Sequence, residues 1–300
     1  FRRIELGPLP EADARELALG LLRAQTDPSA PIEPGQLRSR AEALALRSAG
    51  SPFFIGQMVL GGDALASIED IDQLLARRLA DLDPAARRLL EVVAVAGGPL
   101  ALALALALSP GATLAHVDAL CVSGMLVSGE SEASPAIEVA HDRIRDLTLF
   151  GVEPESCRAT HWAIGEQLLA HVGDAPLGDD IFAIADDFEA GLASVEGMSP
   201  TKRLELAELQ RQAGERALAA AAWTSARRYF ALGHQLVEPW LAEARRGEGP
   251  RALCLAISSG RVQAEAMFKS NQADLAFAEL LSWSLSSAEL GQIVAQRVGV

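Results

Sequence analysis

Aromatic residues make up only 5 % of this 300-residue chain, and Tyr229 is its single tyrosine. Strands are enriched in aromatic and β-branched side chains, whereas the alanine and leucine that dominate the apolar half of this sequence enter helices at least cost. A mainly all-α fold is therefore expected. Lysine is nearly missing: Lys202 and Lys269 are the only two, and the net charge is −14 with a pI near 4.8. Phosphate backbones need a basic footprint, so nucleic acid is excluded as a general partner. Cysteine is scarce and odd in number, at Cys121, Cys157 and Cys254. That pattern offers neither a disulfide framework nor zinc spacing, and it suits reduced thiols in a cytoplasmic protein. Long apolar runs are missing too. The most apolar stretch, Gly98 to Leu108, falls far short of the roughly 20 residues that span a bilayer, so no membrane segment is expected. With no targeting segment and no initiator methionine before Phe1-Arg2-Arg3, the chain reads as a piece of something longer.

A further absence bears on chemistry. A phosphate-binding loop needs Gly-x4-Gly-Lys-[Ser/Thr], in which glycine amides cradle phosphates and the lysine neutralises them. Lys202 follows Thr201 and Lys269 follows Phe268, so neither qualifies, and Lys269-Ser270 is a decoy. No nucleophile–base or paired-carboxylate spacing replaces it, and no enzyme is expected within these residues. Catalytic residues and metal ligands are accordingly none.

What is present is helical punctuation. Residues 1–70 predict short helices at Glu11–Ala24, Gln36–Ser48 and Phe53–Leu60, with a proline-containing loop from Thr26 to Gly35 and a stop at Gly61-Gly62. Residues 71–152 predict helices at Ile71–Leu82 and Pro84–Ala96, the latter with Asp83 as N-cap and Pro84 at its first position. The alternating Ala/Leu run from Gly98 to Leu108 imitates a strand, but alanine is a poor strand former, so one buried helix is expected there. A helix over Thr113–Ser123 precedes two short apolar runs, Met125–Ser128 and Ala136–Ala140, around a polar turn. Helices followed by a small hairpin are the order of a winged helix, with Arg143–Phe150 as the exit helix. Residues 153–300 predict helices only: Pro154–Val172, Asp180–Val195, the pair Glu205–Ala222 and Trp223–Val237, the pair Arg251–Ser270 and Gln272–Ser286, and a start at Glu289–Val298. Small and large apolar residues at i, i+3, i+4 and i+7 mark stacked hairpins of tetratricopeptide type. In such a stack Leu275, Phe277, Leu280 and Leu281 would face a partly missing neighbour and leave an apolar patch.

At Gly50-Ser-Pro-Phe-Phe-Ile-Gly-Gln-Met58 the sequence resembles the lid of bacterial STAND-class signal-transduction ATPases, which carry a Gly-Asn-Pro-Phe-Phe phrase. Phe1-Arg-Arg-Ile-Glu-Leu-Gly-Pro-Leu9 is similar to the end of their ATPase core. Leu79-Ala-Asp-Leu-Asp-Pro-Ala-Ala-Arg-Arg-Leu-Leu90 resembles the start of their winged helix. Val139-Ala-His-Asp-Arg-Ile-Arg-Asp146, Arg158-Ala-Thr-His-Trp-Ala-Ile-Gly-Glu-Gln-Leu168 and the stretch from Ala213 to Phe230 resemble later phrases, in order. The resemblance implies three segments: 1–70 as the end of the core and a helical lid, 71–152 as a winged helix, and 153–300 as a TPR-like repeat region. It implies a parent protein that binds ATP or ADP with magnesium, fused to a serine/threonine protein kinase, a histidine kinase or a nucleotide cyclase. Ser51 stands where asparagine is commoner.

Two residues are candidate nucleotide contacts on that resemblance. Pro52 would pack near the adenine, and His141, in a phrase like the Met-His-Asp of related ATPases, would reach the β-phosphate of ADP. The bland alternatives are a helix-breaking turn at Pro52 and a histidine hydrogen-bonded between wing and helix. His116, His161, His171 and His234 show no metal or triad spacing. From Leu89 to Asp142 there is no lysine or arginine, which argues against DNA despite the winged-helix order. Arg77-Arg78, Arg87-Arg88 and Arg227-Arg228 read as solvated or ion-paired faces. The expected role is a regulatory segment that controls nucleotide-dependent activation and binds protein partners through its repeats. The alternatives are a helical scaffold with no nucleotide coupling and part of an ATPase-type transcriptional regulator.

Overall fold

The computed structural model describes residues 7–25, 33–60, 71–130, 135–173, 177–178, 180–267, 271–283, 285–286, 289–290 and 293. The stretch 1–6, most of the loop expected over 26–35, the glycine pair 61–62, residues 131–134 of the expected polar turn, Lys269-Ser270 and most of the helix expected from Glu289 lie outside the described residues. The chain is mainly helical and divides into two compact units, Phe1–Glu153 and Pro154–Val300. Among the described residues no helix is long and apolar enough to cross a membrane.

The first unit begins with α1 (Glu11–Gln25), α2 (Pro34–Arg47) and α3 (Pro52–Leu60). Ala14, Ala18 and Leu22 of α1 meet Ala41, Leu44 and Ala45 of α2 and Ile55, Met58 and Val59 of α3 in one buried cluster that Leu74 joins. Alanine at so many contact positions lets the helices approach closely. Then come α4 (Ile71–Ala80), α5 (Pro84–Ala96), β1 (Leu100–Ala101), α6 (Leu102–Ala107), α7 (Leu114–Val122), β2 (Leu126–Glu130), β3 (Pro135–Val139) and α8 (Asp142–Phe150). Asp83 caps α5 as expected, accepting from the Ala85 and Ala86 amides at 2.7 and 3.4 Å, with Pro84 next.

The strands form an antiparallel sheet in the order β1-β3-β2, with Leu100 opposite Ile137 and Leu126 opposite Val139. Helix, strand, two helices and a hairpin around such a sheet is winged-helix topology. The sheet corrects the expectation for the Ala/Leu run, which is not one buried helix. Leu100 and Ala101 pair with β3, and of the six residues in α6 only Ala105 is buried. Main-chain pairing to a strand already in place outweighs the weak strand propensity of alanine. Leu89, Leu90, Leu120, Met125, Leu126, Ile137 and Ile144 fill the core beneath.

The second unit contains α9 (Pro154–Val172), α10 (Asp180–Gly191), α11 (Pro200–Ala219), α12 (Trp223–Val237), α13 (Leu241–Arg245), α14 (Arg251–Met267) and α15 (Asn271–Leu281), with a 3-10 turn at Glu238–Trp240. Helix α9 packs on α10, α11 on α12, and α14 on both α12 and α15. Ser199 caps α11 one turn earlier than the sequence pattern suggested, its Oγ accepting from the Lys202 amide at 3.3 Å. Phe230 is fully buried where α11, α12 and α14 meet: a Cβ at Gly214 would lie 2.8 Å from its ring, and one at Gly260 nearer still. Two glycines thus make room for one aromatic side chain.

Of the α15 residues expected to lack a neighbour, Leu275 and Leu281 are exposed, Phe277 is half-buried, and Leu280 is buried together with Ala276 and Trp283. Leu280 is therefore a correction. Its turn of the helix packs inward, within the same cluster as Ile257 and Val262 of α14.

Candidate functional site

The phrase from Gly50 to Met58 is built around a sharp entry into α3. Gly50 has φ +79°, and its carbonyl accepts from the Leu9 amide at 2.8 Å. A Cβ at this position would collide with the Leu9 main chain, so glycine is required by conformation and by space. Ser51 then caps the helix: its Oγ accepts from the Phe54 amide at 3.4 Å, and Pro52 occupies the first turn, where a missing N–H costs nothing. Asparagine caps equally well, so the Ser51 departure preserves the local physics.

His141 sits just past β3 and caps α8. Its Nδ1 accepts from the Arg143 amide at 3.0 Å. That bond fixes the neutral imidazole as the Nε2–H tautomer, leaving Nε2–H as a donor. The structure joins the two sequence candidates through the neighbour of one of them. The Phe53 ring stacks on His141 with centroids 4.0 Å apart and planes 15° from parallel, and Phe54 follows at 6.2 Å. Pro52 itself is exposed.

Two polar clasps, neither anticipated, tie α3 to α4 and to the turn after α7, and α4 to α8. Buried Gln57 donates to the Gly124 carbonyl at 3.1 Å, while its amide oxygen accepts from Arg78. Gly124, at φ +68°, leaves room for that amide. Arg78 is half-buried, and burial lowers its pKa. It is no solvated face, unlike exposed Arg77. The second clasp is bidentate: Arg143 Nε donates to Asp72 Oδ1 at 2.7 Å and a second nitrogen donates to Oδ2. The Arg143 bonds hold the Asp72 carboxyl below its usual range. The one available signal for these residues was Gln57, the only polar side chain in α3.

Several other titratable groups are engaged within the fold. His116 closes a capping box with Thr113 and approaches Asp83 at 3.7 Å, and His161 Nδ1 lies 2.7 Å from Asp187. Arg227 pairs with buried Glu265 at 2.7 Å, and Arg228 pairs with Asp186 and Glu189. Burial raises the thiol pKa of Cys121, and that of Cys254 to about 11, so neither is a ready nucleophile. Among the described residues no group of three or more His, Cys, Asp or Glu is placed to hold a metal ion. No family model, no curated protein and no solved structure matches the chain.

Proposed function

We propose that this chain is the lid, winged-helix and helical-repeat segment of a cytoplasmic bacterial signalling ATPase of the STAND class, coupled to an effector such as a serine/threonine protein kinase. The observation that supports this most is the stack of Phe53 on His141, which joins two of the phrases that carry the family resemblance, Gly50–Met58 and Val139–Asp146. A lid and a winged helix held together at that point can keep a nucleotide-bound core closed, and engagement of the repeats by a protein partner would shift the population toward the open state. In the parent protein His141 would donate its Nε2–H to a phosphate of ADP. The nucleotide supplies the charge that distinguishes the two states, and this chain supplies no hydrolytic group. The phosphate-binding loop and the magnesium ligands would lie in the preceding core.

The test is the coding sequence upstream of Phe1. A Gly-x4-Gly-Lys-[Ser/Thr] loop there is expected, and full-length protein carrying His141→Ala should retain ADP less tightly and show higher basal effector activity. An upstream region without such a loop would leave the helical-scaffold reading in its place.

A further inference from the structure

Helix α7 occupies the position that DNA-reading winged helices lay in the major groove. Here it buries Val117 and Leu120 and turns Leu114 (59 % exposed), Ala115, Asp118, Ala119 and Val122 (78 % exposed) outward on one face. Val127 on the adjoining β2 is also exposed, as is Leu60 at the end of α3, which lies against Gly124. Asp118 is the only acidic or basic side chain of α7 besides His116, which is engaged with Thr113 and Asp83. No lysine or arginine occurs between Leu89 and Asp142. Outward leucine and valine around one carboxylate form a surface that water solvates poorly.

We propose that this face of α7 docks an amphipathic helix of a partner protein, one whose apolar side is bordered by lysine or arginine. Charge selects this occupant. A nucleic acid would set phosphates against Asp118 with no cation on α7 to receive them. A second copy of this chain would bring its own Asp118 and a net charge of −14 to the same surface. A basic amphipathic helix instead places cations beside Asp118 while its leucines cover Leu114 and Val122. Ala115 and Ala119, exposed on the same face, are short and let the backbone of a partner helix come close to α7. The proposal does not depend on nucleotide coupling.

The 300-residue chain can be titrated into a fluorescent helical peptide of leucine and lysine in heptad pattern, with a leucine–glutamate peptide as control. The lysine peptide should bind and the glutamate peptide should not. Val122→Glu should weaken binding at least about tenfold, although it adds a negative charge, and Asp118→Lys should weaken it as well. Both side chains face solvent, and an unchanged unfolding temperature separates lost docking from lost fold. Binding that Val122→Glu leaves unchanged or tightens would mean that diffuse negative charge holds the peptide, and the proposal would be wrong. Self-association relieved by Val122→Glu in sedimentation would assign the face to a second copy. Salt-sensitive binding of duplex DNA abolished by that variant would assign it to nucleic acid. Either result overturns the proposal.

Discussion

Phe53 lies flat on His141, ring on ring at 4.0 Å, while His141 caps α8 through its other edge. One imidazole therefore ties α3 to the start of α8. Aromatic pairs of this kind couple by about 0.5–1.5 kcal/mol beyond area burial. A double-mutant cycle of Phe53→Ala and His141→Ala, read by denaturant unfolding, should show coupling in that range. His141→Ala should cost about a further 1 kcal/mol for the lost cap. Strict additivity of the two substitutions would show that the rings merely lie side by side.

The entry into α3 makes opposite demands on two adjacent residues. Gly50→Ala adds a Cβ against the Leu9 main chain at positive φ and should destabilise the first unit by about 2–4 kcal/mol. Ala49 also sits at positive φ, +49°, as does Ala221 after α11 at +56°, and each bears a side chain that this region disfavours. Ala49→Gly and Ala221→Gly should each be neutral or stabilising, by up to about 1 kcal/mol. Thermal unfolding of the three variants checks the order, and a stabilised Gly50→Ala variant would contradict it.

Phe230 offers a graded series in the second unit. Gly260→Ala should be the most damaging, Gly214→Ala less so, and Gly233→Ala close to neutral, because a Cβ at 233 meets its nearest atom only at 3.5 Å. Overpacking of this kind costs about 1–3 kcal/mol or more, whereas alanine gains about 0.5–1 kcal/mol over glycine in a helix interior. Midpoints of urea unfolding give the ranking. Equal losses at all three positions would mean that the cost lies elsewhere than in the Phe230 contact.

The second unit should also lose stability in mild acid. Burial, reinforced by the Arg261 charge, lowers the pKa of His234, although Glu279 and Glu238 pull it the other way. The folded chain then binds fewer protons than the unfolded chain just below the ordinary imidazole pKa of about 6.5. Stability is thus fully present above that pH and falls as the pH drops through the lowered folded value. Burial alone would raise the Glu279 pKa, but Arg261, His234 and Arg245 reverse this and leave it lowered, so a further loss follows below the usual glutamate range. His234→Gln should flatten the upper part of the pH–stability curve and keep the acid limb. A wild-type curve flat from pH 7 to about 5 would refute the assignment.

The segment alone should neither hydrolyse ATP nor bind it tightly, because the sequence holds no phosphate-binding loop. Calorimetric titration with ATP should show no saturable micromolar binding. Such binding, lost on mutation of a residue within the chain, would sink the regulatory-segment reading.

Local chemistry settled much of this protein before any packing was known. Helix starts at Asp83-Pro84 and Pro154, the span Trp223–Val237, and the wing hairpin after Met125 all follow from caps, prolines and periodicity, which act within a few residues of chain. Only the tertiary structure decided the rest. Leu100-Ala101 became a strand because β3 offered it a free edge, and Leu280 turned inward because α14 presented an apolar face. The clasps at Gln57–Arg78 and Asp72–Arg143, and the stack of Phe53 on His141, join residues far apart in sequence. Such contacts depend on where folded helices place their side chains, and a one-dimensional pattern carries no record of that. The capping and spacing that make a helix are written in neighbouring residues, whereas the partner of a buried polar group is chosen by the fold.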